Sequence, residues 1–351
     1  MAIVAGRGVS TGRAQADVTS GRNNADVSQR EDLANFITMI TREETPFISS
    51  IGKAKATAIY HEWQTDELAS PGNSRLAEGT DFDAAQVTVG PHRTRLGNYT
   101  QINGKQLAVS GTRRAVDQAG VADEYAYQLK KRGTELRRDV EFDVIHSYNV
   151  ASASGTRSMG GFQSFINDTA TVNYVGDFEA PATTNAGTLT VTGTAAADNT
   201  RGALALSDID AVMQKIYEEG GKASRVMLSP KLRRDFSDLI QAESNVRRNV
   251  DESGKLRQSV DVYMSDFGDL MVIPNYVMGL ANNVDFGNGD VDVADFSALI
   301  YDPMWFNIAT LRPLTEVDVG QKGDSTVGMM VEETTLEVRN PKGCGAIYGL
   351  E

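Results

Sequence analysis

Between Val121 and Val150 the apolar residues return at steps of three and four: Ala122, Ala126, Leu129, Gly133, Leu136, Val140 and Val144. That period draws one narrow stripe along a helix. Lys131 precedes Glu135, and Arg137 precedes Glu141, at i,i+4 on the faces expected to be wet. At ~1.5 Å per residue, about 30 residues span roughly 45 Å. So narrow a stripe on so long a helix suits a spine lying across a sheet, and the small residues along it argue against a coiled coil.

Upstream, Leu33, Phe36, Ile37 and Ile40 predict a helix over 29–41, stopped at Thr45-Pro46 because a residue before proline avoids helical backbone. A second apolar patch, Phe47-Ile48 to Ile51, follows. Residues 1–28 are rich in Gly, Ser, Asn, Arg and Asp and read as a flexible arm or a frayed terminus. Ile59–Gln64 alternates like a strand, a polar stretch rich in Pro, Gly, Asn and Asp comes next, and Val87–Val89 and Gly97–Ile102 resume strand propensity. Two strands with a long polar tip form an extended hairpin with little core of its own, which needs a neighbour to rest on.

Residues 158–200 carry no Lys or Arg and many Thr, Ala and Gly, and read largely as a decorating insertion. From Leu204 the pattern becomes a compact α+β unit. Ser207 is the expected cap of a helix running to Glu219, with Gly220-Gly221 as its stop. Arg225–Leu228 reads as a buried strand, and Ser229-Pro230 opens a second helix to about Ile240. Val260–Met264, Leu270–Ile273 and Ala298–Tyr301 read as strands. Long strands return at Leu314–Val319 and Met329–Val338, linked by the turn-rich Gln321–Thr326.

Charge and composition narrow the function. A net charge of −13 argues against phosphate gripping as the main task, while leaving room for one basic face. The single cysteine, Cys344, excludes an internal disulfide and fits a reducing compartment. No apolar leader and no run of 18 apolar residues is found, so neither export nor membrane insertion is expected. His61-Glu62 opens like a zinc-protease motif, but Thr65 stands where the second histidine belongs. Asp266-Phe267-Gly268 and Asp285-Phe286-Gly287 spell a kinase tripeptide without the loops that give it meaning. The loop from Asp285 to Asp295 has carboxylates for a hard cation but lacks the glycine placement and closing Glu of a calcium loop. The expectation is no catalytic residue, no metal and no cofactor.

Several segments in series resemble one family. They are Asp32-Leu33-Ala34-Asn35, Thr45-Pro46-Phe47, His61-Glu62-Trp63-Gln64-Thr65-Asp66, Ala77-Glu78-Gly79 and Val109-Ser110-Gly111-Thr112. Further on come Glu135 to Glu141, Ser265-Asp266-Phe267-Gly268, Lys322-Gly323-Asp324-Ser325, Glu333-Thr334-Thr335-Leu336 and Arg339-Asn340-Pro341. From about residue 30 onward the chain resembles the SU-10-type major capsid proteins of tailed bacteriophages, which have the Hong Kong 97-type α+β fold.

The resemblance implies an N-terminal arm and first helix over 1–52, an E-loop hairpin over 56–104, and a peripheral domain from 105–150 with 313–351, its spine helix at 121–150. It implies an axial domain over 151–312 with an insertion near 165–200. The implied function is self-assembly, as hexamers and pentamers, into an icosahedral or prolate virion shell around double-stranded DNA. Assembly would take place in the host bacterial cytoplasm, with portal and scaffold as partners and a decoration protein as a further one. Trp63, Leu68 and Phe82 are the expected apolar anchors of the hairpin on a neighbour, and Glu67, Arg75, Glu78, Arg93 and Arg95 the candidate inter-subunit ion-pair residues. Arg7, Arg13 and Arg22 are the candidate DNA-facing residues of the arm. The alternatives are an encapsulin-type compartment of the same fold and a soluble enzyme holding a metal at the Asp-rich loop.

Overall fold

The computed structural model describes residues 41, 44–69, 71–73, 75, 78–79, 93–116, 120–147, 157–166, 171–173, 182–183, 189–190, 203–243, 261–279, 297–348 and 350. The arm with Arg7, Arg13 and Arg22, nearly all of the helix expected over 29–41, Phe82, Val87–Val89 and the loop from Asp285 to Asp295 lie outside them. In chain order the elements begin with α1 (Pro46–Ser50), β1 (Gly52–Lys55), β2 (Tyr60–Thr65), β3 (Thr94–Tyr99), β4 (Gln101–Ser110), α2 (Gly111–Ala115) and α3 (Glu124–His146). Then come β5 (Thr171–Asn173), β6 (Ala182–Thr183), β7 (Leu189–Thr190), α4 (Leu206–Glu218), β8 (Arg225–Leu228) and α5 (Pro230–Glu243). The remainder are β9 (Val262–Ser265), β10 (Gly268–Pro274), β11 (Ala298–Tyr301), β12 (Phe306–Lys322), β13 (Ser325–Val338) and β14 (Gly345–Tyr348).

Two sheets organise these elements. The first has the order β1-β12-β13-β4 and carries α3 on one face. The second has the order β5-β14-β11-β8-β10-β9. The final strands outrun their prediction: β12 and β13 form one long antiparallel ladder closed at Gly323, whose φ of 65° suits glycine, and Asp324. The strand Gly345–Tyr348, placed with the 313–351 segment by sequence, hydrogen-bonds instead in the second sheet, between β11 and β5.

The amphipathic face of α4 (Ile209, Val212, Met213, Ile216) packs with Leu232 and Phe236 of α5 onto Val226, Leu228, Leu270 and Ile300 of the second sheet. Helix α4 starts one residue before the expected cap. The Asp208 carboxylate, not Ser207, accepts from the Ala205 N–H at 3.2 Å. Gly220, at φ 82°, ends it as expected. The kinase-like Asp266-Phe267-Gly268 is the β9–β10 turn, held by the Phe267 N–H donating to Ser265 Oγ at 3.2 Å.

Helix α3 follows its sequence stripe only in part. Leu136, Val140 and Val144 are buried, Leu129 and Gly133 half-buried, and Ala122 and Ala126 exposed. The first half lies over the outer sheet, where Met330 comes so close to Gly133 that a β-carbon would stand 3.3 Å from its terminal methyl. The second half drives between the two sheets. There Phe47, Phe162, Tyr301 and Phe306 meet ring to ring, with centroids 5.0–5.7 Å apart. Phe306 comes from the first sheet, Tyr301 from the second and Phe47 from the N-terminal segment, so this cluster fastens all three together.

Neither ion pair predicted on α3 forms as spaced. Glu135 pairs with Arg132 at 2.6 Å and with Lys105 of β4 at 3.8 Å, not with Lys131. Glu141 is fully buried. Its Oε1 accepts from the Phe47 N–H at 2.8 Å and from Asn275 Nδ2 at 2.9 Å, and its Oε2 from the Ile48 N–H at 2.8 Å. Phe47 and Ile48 supply first-turn donors of α1 that a cap residue ordinarily satisfies, and Thr45 makes no such bond. Burial pushes the Glu141 carboxyl up, and the three donors pull it the other way.

Replacing Glu141 with Ala would strand three donors, those of Phe47 and Asn275 buried and that of Ile48 partly so. Glu141→Ala is expected to destabilise the unassembled chain by roughly 3–5 kcal/mol in urea unfolding, with Glu141→Gln costing less because one acceptor survives. An unchanged Glu141→Ala unfolding curve would show that the knot is not needed.

Asp143, one turn short of the end of α3, accepts from Gln101 Nε2 at 2.7 Å, yet burial raises its pKa to about 6. Its folded pKa exceeds the unfolded value, so the native state holds this proton to higher pH and ionising it costs stability. Asp143→Asn is expected to stabilise the chain at about pH 7, by roughly 1–2 kcal/mol, and to lose that advantage by about pH 4. A stability difference independent of pH would contradict this.

Candidate assembly interface

The β2–β3 hairpin is fixed at its base, and beyond β2 the described residues 66–69, 71–73, 75 and 78–79 are exposed. Asn98, fully buried in β3, donates from Nδ2 to the Leu336 and Gly160 carbonyls at 2.9 Å each, while its Oδ1 accepts from the Gly160 N–H at 2.8 Å. All its hydrogen-bonding capacity but one lone pair is used, which stitches the hairpin to β13 and to the 157–166 segment. Trp63 of β2 lies against the core, and its indole N–H donates to the Val338 carbonyl at 2.8 Å. Gly97 stands opposite Glu62 in the ladder, and the Tyr60 ring lies diagonally over it so closely that a β-carbon would fall 2.6 Å from the ring, so any larger residue here would have to displace Tyr60.

Carboxylates of β13 anchor the same region. Glu337 holds His61 Nε2 at 3.1 Å and Arg339 Nε at 2.8 Å. Burial pushes the Glu337 carboxyl up, but the hydrogen bonds from Arg339 and His61 outweigh it and leave it below the ordinary range. The buried Glu333 accepts from Arg157 Nη2, Arg312 Nε and Thr100 Oγ1, each at 2.8 Å. Thr100 is the residue between β3 and β4, so this carboxylate marks where the hairpin hands over to the first sheet. Nothing in the local sequence announces that Glu333, Glu337 or Asn98 is buried. The alternation of β13 suggests an inner face, but of the cationic partners only Arg339 is near in sequence, while Arg157, Arg312 and His61 come from distant segments.

Away from the base the contacts become wet. Arg95 lies 3.7 Å from Glu62 and Arg93 3.4 Å from Asp66, both cations largely exposed. Glu67 reaches Lys342 at 2.9 Å, and Lys342 also reaches Glu219 at 3.3 Å. These hydrogen bonds, that to Glu67 first, raise the Lys342 pKa. Leu68 is 98% exposed. Arg75 and Glu78 are exposed, and among the described residues no ion pair joins them to the rest of the chain. The structure therefore splits the expected set of anchors. Trp63 is occupied inside its own chain, Glu67, Arg93 and Arg95 have partners within it, and Leu68, Arg75 and Glu78 stand out unsupported.

Comparison with known proteins agrees with this architecture. The family model of the SU10 major capsid protein matches residues 14–351. The major capsid protein of Escherichia phage Phieco32 is 26% identical over 253 residues, spanning 64% of this chain and 70% of that protein. The capsid structure of cyanophage P-SCSP1u superposes with a TM-score of 0.56 at 12% identity, covering 93% of this chain and 94% of that one. The holo-SrpI encapsulin complex of Synechococcus elongatus PCC 7942 gives a TM-score of 0.55 at 9% identity over 94% of this chain and 96% of that one. At such identities the structural likenesses establish the Hong Kong 97-type fold that phage shells and encapsulins share, and the family match separates the two. The chain belongs to the SU10 major capsid protein family and is a major capsid protein of a tailed phage.

Proposed function

We propose that the β2–β3 hairpin is the clamp that joins one subunit to the next in the shell, and that the chain has a purely structural task. The observation that carries this is Leu68, 98% exposed directly beyond a hairpin base fixed by Asn98 and Trp63. An apolar side chain so placed gains about 1.5–3 kcal/mol when a neighbour covers it. A two-stranded ribbon has too little core to hold its outer part alone. The exposed Arg75 and Glu78 are further candidate partners for that neighbour, as is Phe82 on the sequence reading.

In this reading the hairpin spans 56–104 and lies over the adjacent subunit's peripheral domain, built from 105–150 and 313–351. The 151–312 region forms the axial domain that meets its copies in hexamers and pentamers. The shell encloses double-stranded DNA as part of the virion, assembled in the host bacterial cytoplasm. The arm residues Arg7, Arg13 and Arg22 face that DNA, and portal, scaffold and a decoration protein are the further partners.

Substituting Leu68→Asp is expected to raise the concentration needed for shell formation by about tenfold or more, from the transfer energy of one Leu per contact. Reversing the signs at Glu78 and Arg93 together is expected to lower shell yield as well. Light scattering with electron microscopy reads assembly, and thermal unfolding checks that the hairpin base is intact. Unchanged assembly in all these variants, with normal folding, would remove the hairpin from the interface.

A further inference from the structure

Helix α3 bears two cationic doublets, Lys130-Lys131 and Arg137-Arg138, seven residues apart. Seven residues are close to two helical turns, so the doublets repeat on one side about 10 Å apart. Lys130 and Arg137 are exposed, and Lys131 and Arg138 half-buried. Spacing alone would neutralise two of them, Lys131 by Glu135 and Arg137 by Glu141. The fold diverts both acids. Glu135 is held by Arg132 and Lys105, Glu141 is sealed under α1, and Asp139 is held by Lys105 Nζ at 2.6 Å. Among the described residues none forms an ion pair with Lys130, Lys131, Arg137 or Arg138. Burial pushes the pKa of Glu332 of β13 up while the Arg137 charge within its reach pulls it down, but the two form no ion pair.

The result is a strip of four positive charges on a chain whose net charge is −13. Its partner must be anionic. Duplex DNA carries about one charge per 1.7 Å of axis, so a strip about 10 Å long meets several phosphates in any register. Arg137 and Arg138 present planar forks suited to phosphate oxygens, and the two lysines act as point charges. An acidic peptide would instead need carboxylates matched to the spacing of the doublets.

We propose that the solvent face of α3 is a contact surface for duplex DNA, facing the inside of the shell and holding phosphates without reading bases. This rests on the reading that the shell encloses DNA, and it places phosphate contacts on the folded body as well as on the arm. The test is titration of the unassembled full-length chain with a short blunt-ended DNA duplex across a salt series, for the parent and for Lys130→Gln, Lys131→Gln, Arg137→Gln and Arg138→Gln combined. The four charges are expected to contribute about −3 to −4 to the slope of log K against log salt, so the variant's slope is expected to be shallower than the parent's by that amount, the arm's share remaining, with about tenfold or more lost in affinity at low salt. If the combined variant misfolds, each doublet alone is expected to remove about half of that contribution. Equal DNA binding by parent and variants, or none by the parent, would overturn the proposal. So would a variant that binds DNA normally but no longer assembles, since the strip would then be a protein contact. Shell formation is scored separately, so a parent that binds DNA but builds no shells would count against the enclosing-shell reading and leave the surface assignment standing.

Discussion

The buried carboxylate of Glu141 is the constraint on which the rest of the arrangement turns. It draws α1 onto α3 through the Phe47 and Ile48 N–H groups and ties Asn275, just past β10, to the same point. A carboxylate removed from water is costly unless its oxygens are satisfied. The three donors therefore fix where three distant segments must meet. Once Phe47 is held there, its ring completes the contact with Phe162, Tyr301 and Phe306 that binds one sheet to the other. The same diversion of Glu141 inward removes a partner that Arg137 would otherwise have had, so the knot at the core shapes the charge of the outer helix face.

A second consequence is how unevenly the chain satisfies itself. The base of the hairpin is fastened by Asn98, Trp63 and the Glu337 cluster, whereas among the described residues beyond β2, Leu68, Arg75 and Glu78 are exposed. The first sheet is similarly lopsided. β1 pairs with β12 only as far as Thr310, and beyond it Leu314, Val317 and Val319 are exposed. Exposed apolar positions of this kind are costly in a monomer and are the sort of surface that an interface between subunits can cover.

Much of this was legible in the sequence. The long helix, the αβ unit with its glycine stop, the hairpin and the closing long strands follow from periodicity and from turn residues, whereas the cap expected at Ser207 is replaced by Asp208. Local spacing misjudged the polar residues. Glu141 looks like the partner of Arg137 because the two stand one turn apart, but its donors arrive from residues 47, 48 and 275, and no local rule encodes that meeting. Trp63 was recognisable as an anchor by its size. That it anchors to its own Val338 carbonyl depends on β13 lying beside β2, a long-range contact. Leu68, expected as an anchor on a neighbour, is 98% exposed in the chain, which leaves its side chain available for such a contact.

A shell subunit whose hairpin is completed by other copies of itself should associate when nothing else is present. The mass of the chain expressed alone, combined with electron microscopy of the same sample, tests this. Closed shells, or rings of five and six subunits, are expected. A uniform monomer that stays monomeric at high concentration, even with phage scaffold added, would contradict this.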